Sequence, residues 1–135
     1  MVLLAALAIG FVSGLRTFTS LAAIFLMRGG VWGYVLAVCA IGEYVADAMP
    51  WIPSRTAPPG VIVRSVSGAV AGWLLTTASG GPAVAGAVAG IVGALIGTFG
   101  GHALRIAAIA RIGELPAAVA EDAVAIALAA IIVLR

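Results

Sequence analysis

Apolar residues in this chain run on without the alternation or narrow stripes of a soluble fold, and short clusters of glycine, proline and charge separate the runs. They cover residues 2–27, 31–49, 61–78, 83–104 and 117–134. A helix needs roughly 20 apolar residues to cross a hydrocarbon core about 30 Å thick. The pattern therefore predicts one all-α domain, an integral membrane protein with about five transmembrane helices.

The first run holds roughly 26 residues, about 39 Å as a straight helix, which exceeds the core thickness. It has to tilt or break, and Ser13-Gly14-Leu15-Arg16-Thr17 marks the place. A kinked single span and a re-entrant pair of half-helices both satisfy the pattern, and the kinked span is the preferred form because neighbouring helices readily repair a broken one. Arg28-Gly29-Gly30 forms the next turn, with Trp32 and Tyr34 suited to an interfacial belt. Residues 50–60 carry four prolines and make a loop. Ser79-Gly80-Gly81-Pro82 turns the chain again. Residues 105–115 read as an interfacial helix end and loop, and Pro116 opens the last span at a position that proline tolerates.

In the fourth run Gly86, Gly90, Gly93, Gly97 and Gly100 recur at spacings of four, three, four and three. Such a seam lets another helix approach backbone to backbone. Gly10 and Gly14 form a smaller face of the same kind. With five short spans to enclose a pathway, the seam predicts a homo-oligomer.

Composition agrees with the membrane class: 64% of the 135 residues are hydrophobic and 9% charged, and the mean hydropathy is +1.25. Soluble domains carry about 25% charged residues. All seven basic residues are arginine, scattered along the chain, so nucleic-acid binding has no support. The lone Cys39 reads as a small core hydrophobe. No basic segment precedes the first run, and no small-residue cleavage site ends it, so it reads as mature structure instead of a signal peptide. With five spans, Arg55, Arg64, Arg105 and Arg111 fall on the amino-terminal side against Arg28 and Arg135, which favours a cytoplasmic amino terminus.

Five charges fall at or near membrane depth: Arg16, Glu43, Asp47, Glu121 and Asp122. Unpaired and lipid-facing, each would cost roughly 2.5–3.5 kcal/mol at a helix centre. They must be paired, protonated or turned toward water. Glu43 and Asp47, four apart, share a helix face, and Glu121 and Asp122 are placed early in the last span, where a helix amino terminus favours negative charge. Thr98, His102 and Arg105 share a face of the fourth span. Together these groups outline a polar cavity with Arg64 beside it, in which carboxylates carry protons or ligate a hard cation. In the structural alternative Arg16 and Arg64 neutralise two carboxylates and fix helix register. For His102 a hydrogen-bonded role is the plainer reading, because no second histidine or nearby cysteine completes a metal site. Thr17, Thr19 and Ser20 either line the cavity or bond back to their own helix. Arg55 reads as a headgroup contact, with gating as its sharper alternative. The sequence has no hydrolytic triad signature and no phosphate loop, and it points to no cofactor and to no enzyme.

Gly14-Leu-Arg-Thr-Phe-Thr-Ser20, Gly42-Glu-Tyr-Val-Ala-Asp47 with Pro50, Pro53-Ser-Arg-Thr-Ala-Pro-Pro-Gly60, Arg64-Ser-Val-Ser-Gly68, Gly97-Thr-Phe-Gly-Gly101 and Glu121-Asp122 stand along nearly the whole chain. In these motifs it resembles the uncharacterised bacterial membrane-protein family named domain of unknown function 4126. The resemblance implies a multi-pass protein of the bacterial inner membrane and brings no activity or assigned site. A lysine is common in that family where this chain has Ala48. Gly10/Gly14 with Thr17-Phe18 also parallels Gly93/Gly97 with Thr98-Phe99, a weak hint of an inverted repeat. The expected function is a small transporter or channel, linked to protons or a cation. The alternative is a non-catalytic accessory subunit that packs in the bilayer against a larger membrane complex.

Overall fold

A computed structural model describes residues 1–47 and 57–134, apart from the side chain of Asp47. Six helices follow one another: α1 Val2–Leu15, α2 Thr17–Arg28, α3 Val31–Asp47, α4 Pro58–Ala78, α5 Ala83–Ile112 and α6 Glu114–Leu134. No strand occurs among the described residues. Helices α4, α5 and α6 are long and apolar enough to cross a membrane, whereas α1, α2 and α3 are shorter apolar helices. Large apolar side chains such as Val84, Leu104 and Leu115 stand more than two-thirds exposed on the outer faces. A surface so continuously apolar is out of place in water and suits lipid.

The first apolar run is two helices. Arg16 takes an extended conformation (φ −145°, ψ 116°), and its N–H still closes the last turn of α1 on the Val12 carbonyl. Gly14 does not cause the break, since its φ is not positive. Its missing side chain matters for packing instead: a Cβ there would lie 2.2 Å from the Ala94 carbonyl oxygen of α5.

The contacts with α4 fix the direction of each half. Val2 sits near Gly81, just beyond the end of α4, and Ser13 meets Ser67 near its middle. After the break, the Thr17 carbonyl also meets Ser67, while Arg28 reaches the Leu74 carbonyl. The chain thus runs inward to the level of Ser67 and then back toward the end from which it came. Residues 2–28 form a helical hairpin with Arg16 at its tip, the re-entrant form and not the kinked span preferred from the sequence. The Ser13 and Ser20 hydroxyls, seven residues apart, are consequently 2.5 Å apart. In one straight helix they would be separated by about 10 Å along the axis.

Helix α3 then leaves that end, with Gly33 against Leu26 and Tyr44 beside Thr19. The hairpin places both described chain ends, Met1 and Leu134, at one end of the bundle. Of the arginines counted by sides, Arg64 and Arg105 belong to ion pairs, and Arg55 and Arg135 lie outside the described residues.

Two other boundaries differ from expectation. Helix α5 continues to Ile112 instead of fraying after Leu104, and a single positive-φ residue, Gly113, makes the turn into α6. Pro116 accordingly lies within the first turn of α6, where an amide N–H has no intrahelical partner to lose. Pro58 and Pro59 occupy the corresponding place in α4.

The centre of the bundle is built on backbone contact. A Cβ on Gly90 would lie 2.0 Å from the Gly68 carbonyl oxygen of α4, and one on Gly10 would lie 2.2 Å from the Gly90 oxygen. Gly86 also faces α4, through Thr76 and Gly72, whereas Gly93 and Gly97 face Leu7 and Phe11 of α1. Helices of the same chain therefore cover these four glycines. Gly100 meets nothing within 4 Å.

Gly90→Ala is expected to destabilise the protein by about 1–3 kcal/mol, because the added methyl meets backbone that cannot rotate away. Gly100→Ala should leave the melting temperature in detergent unchanged or slightly raised. Equal thermal shifts for the two variants would contradict the assigned packing.

Candidate functional site

A helix break deep in an apolar bundle exposes amide groups at one helix start and carbonyls at the other helix end. Neighbouring side chains of opposite charge satisfy both sets here. Glu43 of α3 accepts from the N–H groups of Thr17 (2.8 Å) and Phe18 (3.1 Å), one with each carboxylate oxygen. Arg64 of α4 donates to the carbonyls of Gly14 (2.7 Å) and Leu15 (2.9 Å). Each charge also has the sign that its helix end favours. The two caps meet, with Arg64 Nη2 3.5 Å from Glu43 Oε1. Ser67 donates to the Thr17 carbonyl (2.5 Å), and Thr98 bonds its own helix at Ala94 (2.7 Å) while lying 3.4 Å from the Gly14 carbonyl.

Arg16 itself is fully buried. Its guanidinium pairs with Asp122, lies 4.0 Å from Glu121 and sits over the Tyr44 ring at 5.1 Å from the centroid. Arg105 completes the cluster at 3.3 Å from Glu121. Among the described residues the tip thus gathers three guanidinium groups and three carboxylates. Charge balance is what keeps such a group tolerable away from water, since an unpaired buried ion costs several kcal/mol.

Two cavities flank the cluster. One, of about 390 Å³, runs between α2, α3 and α6 from Thr19 and Tyr44 at the tip toward Met27 and Leu134 at the end that holds Met1. The other, of about 200 Å³, lies between α1, α5 and α6 and is bordered by Phe11, Leu104, Arg105 and Glu121. It faces the opposite end of the bundle, near the α5–α6 turn. The ion pairs of Arg16 stand between them.

Of the residues singled out from sequence, Arg16, Glu43, Arg64, Glu121 and Asp122 converge on the tip. His102 does not join them: it is half-buried on α5, and no described residue hydrogen-bonds or pairs with it. The face shared by Thr98, His102 and Arg105 is thus used at its two ends only. The side chain of Asp47, and with it the Glu43–Asp47 pairing, lies outside the described residues, as do Arg55 and Arg135. Glu121 and Asp122 sit about two turns into α6, not in its first turn, which holds Glu114. Their place is accounted for by Arg16 and Arg105, not by the helix start. Arg105, expected on a cavity-facing stripe with Thr98 and His102, reaches the cluster through Glu121, a partner that its spacing did not name. Sequence reasoning did not single out Tyr44, which stands beside Thr19 and Arg16. No family model, no curated protein and no solved structure matches the chain.

Arg16→Met leaves Asp122 without its guanidinium and is expected to cost about 3–5 kcal/mol. Adding Asp122→Leu should restore part of that loss. A double variant that loses the full sum of the two single effects, measured by thermal unfolding in detergent, would show the pair to be uncoupled.

Proposed function

We propose that this chain is a small transporter of the bacterial inner membrane that moves protons, or a solute coupled to them, through the hairpin tip. The supporting observation is the position of the tip: a charged, broken-helix junction lying between two cavities that approach it from opposite ends. Discontinuous helices at membrane depth form the substrate and ion sites of many transporters, with helix ends supplying partial charge. In this reading α3, α4, α5 and α6 cross the membrane and α1–α2 enters and returns, so both termini lie on one side. The five crossings expected from sequence become four and a re-entrant hairpin.

The arginines favour a proton over a metal cation as the coupling species. Each carboxylate of the tip already faces a guanidinium, so a cation would have to displace a charged partner. A proton neutralises a carboxylate in place. On Glu43 it would weaken the hold on both Thr17 and Phe18 amides and on Arg64 at once. Helix α3 rests mainly on α2 and reaches α4 through the Glu43–Arg64 pair, so it is the element released by that step. Homo-oligomerisation belongs to the same proposal, with the outer faces of α3 and α6 available for it because the glycine seam is covered. The motifs shared with the family of unknown function 4126 support membership in it, since Gly14–Ser20, Glu43, Arg64–Gly68, Thr98 and Glu121-Asp122 all lie at or beside the tip. A second reading, an accessory subunit in a larger membrane complex, draws on the same charge pairing, which also serves a purely structural lock.

Proteoliposomes loaded with a pH-sensitive dye separate the two. Proton flux under an imposed potential should be abolished by Glu43→Gln and by Glu121→Gln in protein that still elutes as the wild type does. Flux no greater than in empty liposomes would reject transport in favour of the accessory role.

The topology has its own check. In a Cys39→Ala background, single cysteines at Gly30, Gly80 and Met1 should react with an impermeant thiol reagent from one side, and a cysteine at Gly113 from the other. Labelling of Met1 and Gly30 from opposite sides would mean that the hairpin crosses.

A further inference from the structure

The contacts between helices divide the bundle into two bodies. Helices α1, α4 and α5 meet backbone to backbone: a Cβ on Gly68 would lie 2.5 Å from the Gly90 oxygen, one on Gly72 2.3 Å from the Gly86 oxygen and one on Gly93 2.0 Å from the Leu7 oxygen. Surfaces fitted so closely do not slide, since a displacement drives backbone into backbone. Helix α3 is fastened to α2 along its length, by Gly33 against the backbone of Phe25 and Leu26, by the Tyr44 hydroxyl on Thr19 and by Glu43 on the Thr17 and Phe18 amides. Among the described residues it has no comparable packing against α4, α5 or α6.

The caps of the helix break follow the same division. Arg64 of α4 holds the carbonyls that end α1, so that cap lies within the first body, and Glu43 of α3 holds the amides that begin α2, so the other lies within the second. Either body can therefore turn without uncapping a helix. Arg16 joins them through extended backbone, and its guanidinium is held by Asp122 of α6, a helix tied to the first body by Glu121 with Arg105 and by the short turn at Gly113. The joint itself is thus anchored. Side-chain links cross the division between Arg64 and Glu43, Ser67 and the Thr17 carbonyl, Ser13 and Ser20, and Arg28 and the Leu74 carbonyl. On the other side of the second body, the larger cavity leaves space between α3 and α6.

We infer that α2 and α3 move as one rigid arm about Arg16, against a fixed body of α1, α4, α5 and α6, with the Glu43–Arg64 pair as the latch. When the latch opens, α3 draws away from α4 and toward α6, closing on the larger cavity. Hinges of this kind are a few residues at element ends that absorb the change in φ and ψ, and rigid rocking of one group of helices against another is how many transporters alternate access. The inference deepens the transport reading by naming the part that moves, and it extends the released element from α3 to the α2–α3 pair. It rests on that reading for the coupling to flux but not for the motion.

Movement is read without flux, from nitroxide pairs on cysteines placed at exposed positions in a Cys39→Ala background and measured by double electron–electron resonance in nanodiscs. Glu43→Gln removes the charge of the latch while its carbonyl oxygen can still accept from α2. It should lengthen the distance from Val38 of α3 to Val66 of α4 and shorten that from Val38 to Val124 of α6. The distances within each body, Met27 to Val45 and Ile62 to Val84, should keep their wild-type values. Ser67→Ala, a milder change that removes another link to α2, should shift the same two distances in the same directions by a smaller amount. A changed distance within either body, or four unchanged distances in both variants, would overturn the inference. The coupling has a separate readout. A disulfide between Ser13→Cys and Ser20→Cys, whose native hydroxyls are 2.5 Å apart, pins the arm beside its joint, so proton flux should be lost on oxidation and return on reduction. Flux that persists in the oxidised protein would overturn the moving arm and leave transport standing. Shifted distances in a protein that carries no flux in any state would leave the arm standing and reject transport.

Discussion

Backbone polar groups cannot be left unsatisfied where neither water nor a helical partner can reach them, and the hairpin tip concentrates that problem at one point. Arg16 leaves the helix, so the Thr17 and Phe18 amides and the Gly14 and Leu15 carbonyls lose their continuing turns. Glu43 and Arg64 replace those turns with charged groups carried by other helices. Much of the arrangement follows. Helix α3 must return past α2 at the level of the break, α4 must pass behind it, and each side chain that caps a helix end needs a counter-charge of its own. The Glu43–Arg64 pair supplies that for both caps, and Asp122 and Glu121 supply it for Arg16.

The tip can be this crowded because the helices around it are close enough. Gly10, Gly68 and Gly90 bring three backbones together, and Gly14 and Gly97 do the same immediately beneath the break. Without a hydrophobic drive between helices in lipid, such close packing and the interhelical polar contacts have to hold the bundle. The glycines do not make the chain flexible at these positions. They set the distance at which Arg64, Ser67 and Thr98 can reach the carbonyls on either side of the break.

A charge-balanced cluster between two cavities has a chemical consequence of its own. Any proton taken up by a carboxylate leaves a guanidinium with an unsatisfied charge, and any anion that arrives finds its counter-charge only after such a step. The cavities differ in character, since one borders the Arg105–Glu121 pair directly and the other has the Tyr44 ring, which stands against the Arg16 guanidinium, in its lining.

Composition and run length were enough to determine that this is a helical protein with a lipid-compatible surface, because each local segment carries that information independently of its neighbours. The turns at Gly29-Gly30 and at Ser79 to Pro82 were equally legible, since glycine and proline act on their own backbone. So was the expense of Arg16, Glu43, Glu121 and Asp122 at depth, which by itself demanded partners. Which partner each took was not, for a pairing such as Arg16 with Asp122 joins residues more than a hundred positions apart and leaves no local pattern. The same holds for the hairpin. An apolar run of residues 2–27 reads alike whether it bends or reverses, and only the Glu43 and Arg64 caps, brought in from α3 and α4, make the reversal affordable. Tyr44 escaped notice for that reason too, as did the partner of Arg105: both roles exist only where Arg16 and α6 come to meet them.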